Sequence, residues 1–536
     1  MKMNKRIKLM STIILLFVSL IYGCKKHDLN KITGITFDQN LAAPIGYGEF
    51  GVHDLLKSAD SIININSSTH EMSIVYQKEL DTIFAKDVIK LKDTSVLFNV
   101  TPSSLSSIST SSFNNVINNS SAQVFEYATQ NGALLHDLNF ESGSLKLDVS
   151  STLKHDITLK ITFPDLKLSG NIVSQTINLI YSNSVPQSGS GTINLSNVLA
   201  DFTAGGTANN TLRINIDATI TGKGNPISGT ENLDLRMNLM NLKFKNITGY
   251  FGQQNLANFK DSLLLKIFEK PIDGSLSFTN PKLKFIVDNS FGIPIRLNFN
   301  KLESVDDLTN QSSKIDYNNP KDIAFPSSIG SQSVSTIINL NNSTTNNTMT
   351  NLVDASPKYL KYDISAQLNP LGNVGPLNFI ESTSRMIVKA DLELPFEGYA
   401  SGMNVKDTMN FSLDQNIQNI KYVLFRLKVD NGLPLSLNGQ AEFVDKNYKH
   451  LFNLFDKDTQ IASAAPVNSE GKATTQISKS TDIVIPENKT LLLDQVKYII
   501  ISGITETTQP SKTVVKLQDT NKIGFKLSVQ VQLKGK

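Results

Sequence analysis

The chain is predicted to be all-β and mainly antiparallel, with two or more β-sandwich modules in tandem and few short helices. Three observations carry that expectation. Apolar and polar residues alternate with a period of two: Ile157, Leu159, Ile161 and Phe163 interleave with Asp156, Thr158, Lys160 and Thr162, the pattern of a half-buried strand. Sustained helical spacing is scarce, with short candidates only at 251–260 and 446–455. One strand-turn-strand unit occurs twice, which points to related modules.

In chain order, Lys2, Lys5, Arg6 and Lys8 form a basic stretch ahead of an apolar run at 9–22. That run has secretory length and is short for a bilayer span. It ends at Ile21-Tyr22-Gly23-Cys24, which holds the only cysteine of the 536 residues. These four residues resemble the lipobox of bacterial lipoproteins, with an aliphatic residue three places before the cysteine and glycine directly before it. The resemblance implies cleavage between Gly23 and Cys24, a diacylglyceryl group on the Cys24 thiol and an acylated amino terminus, with palmitate as the test label. Two or three acyl chains, at about 0.8 kcal/mol per buried CH2, give stable anchoring. Residue 25 is lysine, where aspartate retains many such proteins at the inner membrane. The expected location is therefore the outer membrane, on either its periplasmic or its cell-surface face.

Composition then suggests a division of the chain. Residues 1–23 are the signal and 24–50 a lipid-anchored tether, with a Gly-rich turn through Gly46, Gly48 and Gly51 across its end. A short helical turn is expected at 53–57, and 51–145 is an N-terminal β-rich region. Within it, 101–121 is rich in Ser and Asn and is expected to be a long mobile loop. A first sandwich occupies 146–338, an Asn/Thr-rich linker 339–354, and a second sandwich 355–536. Further alternating strands are Leu145, Leu147 and Val149; Leu212, Ile214, Ile216, Ala218 and Ile220; and Met386, Val388, Ala390, Leu392 and Leu394. The most regular is Ile523, Phe525, Leu527, Val529, Val531 and Leu533.

The repeat lies in both halves. Leu283 to Asp288-Asn289 leads through Gly292-Ile293-Pro294-Ile295, and Leu424 to Asp430-Asn431 leads through Gly432-Leu433-Pro434-Leu435. Asn closes Asx-turns and tolerates left-handed backbone, while Pro is confined to edge or unpaired positions. Each copy is thus a strand that turns at Asp-Asn and resumes after the proline. With Asn280-Pro281 ahead of the first copy, the order resembles the β-sandwich module of late-embryogenesis-abundant type 2 and WHy proteins. That resemblance implies a fibronectin-like sandwich and brings no catalytic residues.

Composition also excludes function classes. Formal charge is +3 with four positive charges in the signal, so nucleic acid is not an expected partner. With Cys24 given to lipid, neither disulfide nor thiol chemistry remains. His27, His53, His70, His136, His155 and His450 show no metal-ligand spacing, and His155 is expected to pack at a strand end. Asp306-Asp307 and Asp456-Lys457-Asp458 are expected to be solvated turns, not calcium loops, and Asp288 and Asp430 to cap the repeated turn. Asp60-Ser61-Ile62, Asp81-Thr82-Ile83, Asp261-Ser262-Leu263 and Asp407-Thr408-Met409 resemble the acceptor triplet of a bacterial O-glycosylation system. No catalytic, cofactor or metal residues are assigned. The expected function is that of a non-enzymatic, lipid-anchored envelope protein acting as a binding or structural module with a protein or glycan partner. The alternatives are a periplasmic carrier of lipid or another apolar ligand, and a hydrolase whose site is gathered from distant loops.

Overall fold

The computed structural model describes residues 40–55, 63–268, 274–306, 312–317, 319–354, 357–411, 420–507 and 513–533. Gly23 and Cys24 lie outside them. The described chain is built of antiparallel strands, with α-helices only four residues long at Val52–Leu55, Ala85–Val88, Asn351–Asp354 and Glu487–Thr490. The alternating segments form strands as expected: Ile157, Leu159, Ile161 and Phe163 are buried, as are Met386 through Leu394 on their shared face and Ile523 through Val531 on theirs.

Two sandwiches of the same topology account for most of the fold. In the first, the sheet of Val334–Leu340, Lys282–Asn289, Arg385–Pro395 and Met72–Phe84 faces the sheet of Gln254–Leu264, Tyr359–Leu368 and Ile295–Val305. In the second, Ile477–Ile485, Ile420–Asn431, Lys522–Leu533 and Asn40–Gly51 face Met403–Asn410, Tyr498–Thr507 and Leu435–Val444. Strand for strand and in chain order, the two match. Aromatic pairs bridge each interior, Phe285 with Phe299 at 4.8 Å and Phe425 with Phe443 at 5.2 Å. Tilted contacts at such spacing are favoured over face-to-face stacking.

The units are nested. Asn40–Gly51 belongs to the second sandwich, pairing with Lys522–Leu533 from Asn40↔Gln532 to Gly51↔Lys522. Inside that loop of chain lies the first sandwich, whose strand Met72–Phe84 pairs with Arg385–Pro395. Inside the first sandwich in turn lies a ten-stranded sheet centred on Leu134–Ser151, Asp156–Leu168, Thr211–Thr221 and Leu233–Tyr250. It curls so that Leu145, Phe163, Ile214 and Met237 share one interior. The segment boundaries read from composition therefore do not coincide with the sheets.

The three units stack end to end. The Asn289 end of the first sandwich meets the ten-stranded domain, where Asn369 Nδ2 donates to Gly252 O (3.0 Å) and Asn378–Glu381 joins the larger sheet. Its opposite end meets the Asn431 end of the second sandwich through Gln518 Nε2 to Thr69 O (2.7 Å) and the ion pair Lys472–Glu71 (3.0 Å). A three-stranded sheet of Ser275–Phe278, Glu397–Ser401 and Val515–Lys516 lies at that seam. The other end of the second sandwich is where Asn40 begins and Leu533 ends their strands.

Several local expectations are corrected. The Gly-rich turn and the last residues of the tether are the strand Asn40–Gly51, because Gly46 and Gly48 let it approach the facing sheet: a Cβ on Gly48 would lie 2.8 Å from Asp407 Oδ2. The adjoining helical turn is Val52–Leu55. The candidate at 251–260 is the strand Gln254–Leu264, fixed by pairing with Tyr359–Leu368, and that at 446–455 contains the strand His450–Asn453. Ser/Asn-rich 101–121 is not a free loop: Leu105 and Phe113 are buried, and Val116–Glu126 pairs along Thr211–Thr221. The linker at 339–354 is packed, with Thr345, Met349, Leu352 and Val353 buried, because Asn341 and Thr344 side chains satisfy its turn backbone.

The nesting yields a prediction. Gln254 Nε2 donates to Val88 O at 3.2 Å, so the two ends of the ten-stranded insertion are neighbours. Excising 90–252 and joining the ends by a short Gly-Ser linker should leave two cooperatively folded sandwiches by urea unfolding monitored at the β-sheet circular dichroism band. Removing 40–51 should instead unfold the second sandwich, as it strips a whole strand from Lys522–Leu533.

Candidate functional site

The repeated turn is the first place to look for a site, and it proves to be the arch by which the chain crosses between facing sheets. Asn289 Oδ1 accepts from Phe291 N (2.9 Å) and Asn431 Oδ1 from Leu433 N (2.8 Å), each closing an Asx-turn. The amide nitrogens are used too: Asn289 Nδ2 donates to Ala324 O (3.1 Å), and Asn431 Nδ2 to Leu435 O (2.8 Å) and Ser463 O (2.6 Å). Both asparagines are buried, and such groups are tolerated inside only when bonded. Ile293 and Leu433, just before Pro294 and Pro434, plug the ends of the cores.

The capping expected of the aspartates belongs to these asparagines. Asp288 and Asp430 point to the outer sheet face, where each accepts a hydrogen bond from the serine opposite it on the neighbouring strand, Ser335 and Ser478. Lys389 donates to Asp288 at 2.9 Å, and Lys428 stands 3.5 Å from Asp430. The serine hydroxyl first, and then the lysines, hold both carboxyls below their ordinary range against the opposing effect of burial.

Among the described residues the histidines do not converge. His70 faces Asp519 (3.0 Å), His136 faces Asp137 (2.8 Å) and His450 faces Asn453 (3.1 Å), on different units. His155 packs at a strand end as expected, fully buried, with its ring edge-on to Phe113 and Nδ1 accepting from Lys223 N (3.2 Å). Burial pushes its pKa down. His27 and the Asp60 triplet lie outside the described residues, as does Asp307. Among the described residues no cluster of three or more His, Cys, Asp or Glu could hold a metal ion, and Asp456 is solvated. Asp261 and Asp407 occupy the same edge strand of the two sandwiches, opposite Tyr362 and Ile501.

Two concave surfaces among the described residues carry polar side chains and are roomy. The seam between the sandwiches holds a polar cleft of ≈ 230 Å³ lined by Glu71, Glu393, Glu397, Lys282 and Lys516. Its carboxylates are already paired with Lys472, Lys282 (3.5 Å) and Lys516 (3.4 Å), so it reads as a joint. A larger groove of ≈ 520 Å³ lies on the outer face of the ten-stranded domain. Its floor is kept low by the short side chains of Ser188 and Ser190. Asp148 stands in register between Arg236 and Ser190, and Ser150 between Asp234 and Ser188. Asn99 donates to Asp234 (3.1 Å) and Asn238 to Asp148 (3.1 Å), leaving Arg236 without a hydrogen-bonded partner among the described residues. Hydrogen-bonding groups in rows on a rigid sheet suit recognition of an extended polar ligand. Sequence reading missed this groove, since its residues come from four strands far apart in the chain.

The apolar interior of the same domain leaves a cavity of only ≈ 10 Å³, room for about one water. No lipid fits there.

No family model matches the chain, and no curated protein sequence matches it. Among solved structures, a "putative secreted protein" from Parabacteroides distasonis aligns at 10% identity over 92% of this chain and 99% of its own, with a TM-score of 0.29. A triple jelly roll and turret structure from an archaeal virus covers 79% of this chain and 90% of its own at 10% identity and TM-score 0.11. The Sulfolobus turreted icosahedral virus structure covers 79% and 92% at 11% and 0.12. None superposes closely enough to transfer fold or function.

Two substitutions separate the roles in the arch. Asn431→Ala should destabilise the second sandwich by about 3 kcal/mol, because it strands buried backbone groups, whereas Asp430→Ala on the outer face should cost about 1 kcal/mol or less in urea unfolding. The lowered carboxyls also predict an acid dependence. Their stabilisation is present above the unfolded value near 3.9 and lost as pH falls through the lower folded value. The double variant Asp288→Asn and Asp430→Asn should therefore show a shallower fall in stability on the acid side.

Proposed function

We propose that this chain is a non-enzymatic, lipid-anchored protein of the bacterial outer membrane, in which two stacked sandwiches carry a ten-stranded binding domain away from the bilayer. The observation that carries the reading is the nesting. The described chain enters and leaves the stack at one end, the base of the second sandwich, and the ten-stranded domain sits at the other. An acyl group on Cys24 would hold that base at the membrane and turn the groove around Arg236 outward, toward a protein or glycan. Support for export comes from the basic and apolar stretches ahead of Gly23-Cys24. No helix among the described residues is long and apolar enough to cross a membrane.

The ≈ 10 Å³ cavity of the ten-stranded interior speaks against the carrier alternative. Cells grown on labelled palmitate should label the wild-type chain and not Cys24→Ser, and the variant should leave the membrane fraction. An unlabelled wild-type chain, or a variant retained as firmly as the wild type, would refute the anchor.

A further inference from the structure

The base of the second sandwich differs from the same end of the first. In the first, the helix Asn351–Asp354 packs against the seam strand Ser275–Phe278, and its Leu352 and Val353 are buried. In the second, Leu491 precedes Tyr498 by the same seven residues that separate Leu352 from Tyr359, and it is 71% exposed. At the same end Tyr448 is 58% exposed, with its ring flat on Tyr498 at 4.8 Å and 5°. Tyr448 holds this pose at φ 60°, in the hairpin between Leu435–Val444 and His450–Asn453. Glycine or asparagine would sit there without strain, and a bulky residue at positive φ is a genuine outlier.

The charges at this end favour cations. Lys421, Lys446, Lys449 and Lys497 are exposed, and Lys489 faces Asp456 at 3.8 Å. Among the described residues the acids at the same end are Asp445, Asp456, Glu487 and Asp494, and one oxygen of the Asp445 carboxylate accepts from the Asn447 and Lys449 backbone N–H groups (2.7 and 2.9 Å).

We infer that this base is a membrane-contact face: Tyr448 and Leu491 enter the headgroup boundary while the lysines meet anionic headgroups. A tyrosine with one apolar face and a polar tip, flanked by lysines, suits that boundary. The inference rests on the proposed anchoring only for which end of the stack meets the bilayer. The fifteen residues 25–39 between Cys24 and Asn40 reach at most roughly 50 Å when extended, so the base stays within reach of the surface.

The test is flotation of the mature chain carrying Cys24→Ser, so that no acyl group contributes, with vesicles of phosphatidylethanolamine and phosphatidylglycerol at three to one, or of phosphatidylcholine alone. The chain should float with the anionic vesicles at low salt and be released at high salt. Tyr448→Gly with Leu491→Ser should weaken partitioning about tenfold, and Lys446→Glu with Lys449→Glu should abolish its salt sensitivity, while Leu371→Ser on a remote exposed loop changes nothing. Tyr448→Gly relieves the strained backbone, and matched thermal unfolding of all variants separates lost contact from lost fold. No flotation, equal flotation of the base variants, or self-association through this face in light scattering would overturn the inference. Palmitate labelling reports on the anchor independently.

Discussion

Antiparallel pairing of Asn40–Gly51 with Lys522–Leu533 is the constraint on which the rest depends. It joins strands separated by nearly the whole described chain, so the chain that leaves the second sandwich after Gly51 returns to it only at Met403. The first sandwich repeats the manoeuvre with Met72–Phe84 and Arg385–Pro395. Pro44 sits at a register shift on a sheet-edge strand, where its missing N–H does least harm. Loop-closure entropy grows only slowly with length, and so insertions of this size are compatible with folded hosts.

The second constraint is the crossing between sheets. An arch carries backbone through the end of a core, where unsatisfied polar groups are expensive. Asn289 and Asn431 meet that demand with one oxygen and one nitrogen each, and the aliphatic residue before each proline closes the core above them. The aspartates beside them are free to serve the outer face, where paired charges are solvated and worth little.

Much of the strand content was legible because one face of each sheet is buried, which forces the period of two seen at Ile157–Phe163 and Ile523–Val531. The arch was legible because its backbone demands particular side chains. What stayed hidden depends on partners. Residues 254–264 carry no strong period, and only Tyr359–Leu368 alongside makes them a strand. The Ser/Asn run at 116–121 pairs on one side only and needs few apolar residues. At 341–345 the hydroxyls and amides that suggest a solvent loop instead satisfy a tight turn over buried Met349 and Leu352. The groove around Arg236 and the exposed base at Tyr448 exist only once strands remote in sequence are assembled, while the lipobox-like Ile21–Cys24 is a reading of the sequence alone.

Taken together, these features describe a stack with direction: a base where the chain enters, a seam of paired charges, and a far end bearing the groove. The most direct measurement is neutron reflectometry of the chain tethered through a lipid placed on residue 24 to a supported bilayer, comparing the intact chain with one lacking 90–252. The account predicts that the deletion removes scattering density from the outer edge of the protein layer and leaves the profile next to the headgroups unchanged. Density lost beside the headgroups, with the outer edge intact, would contradict it.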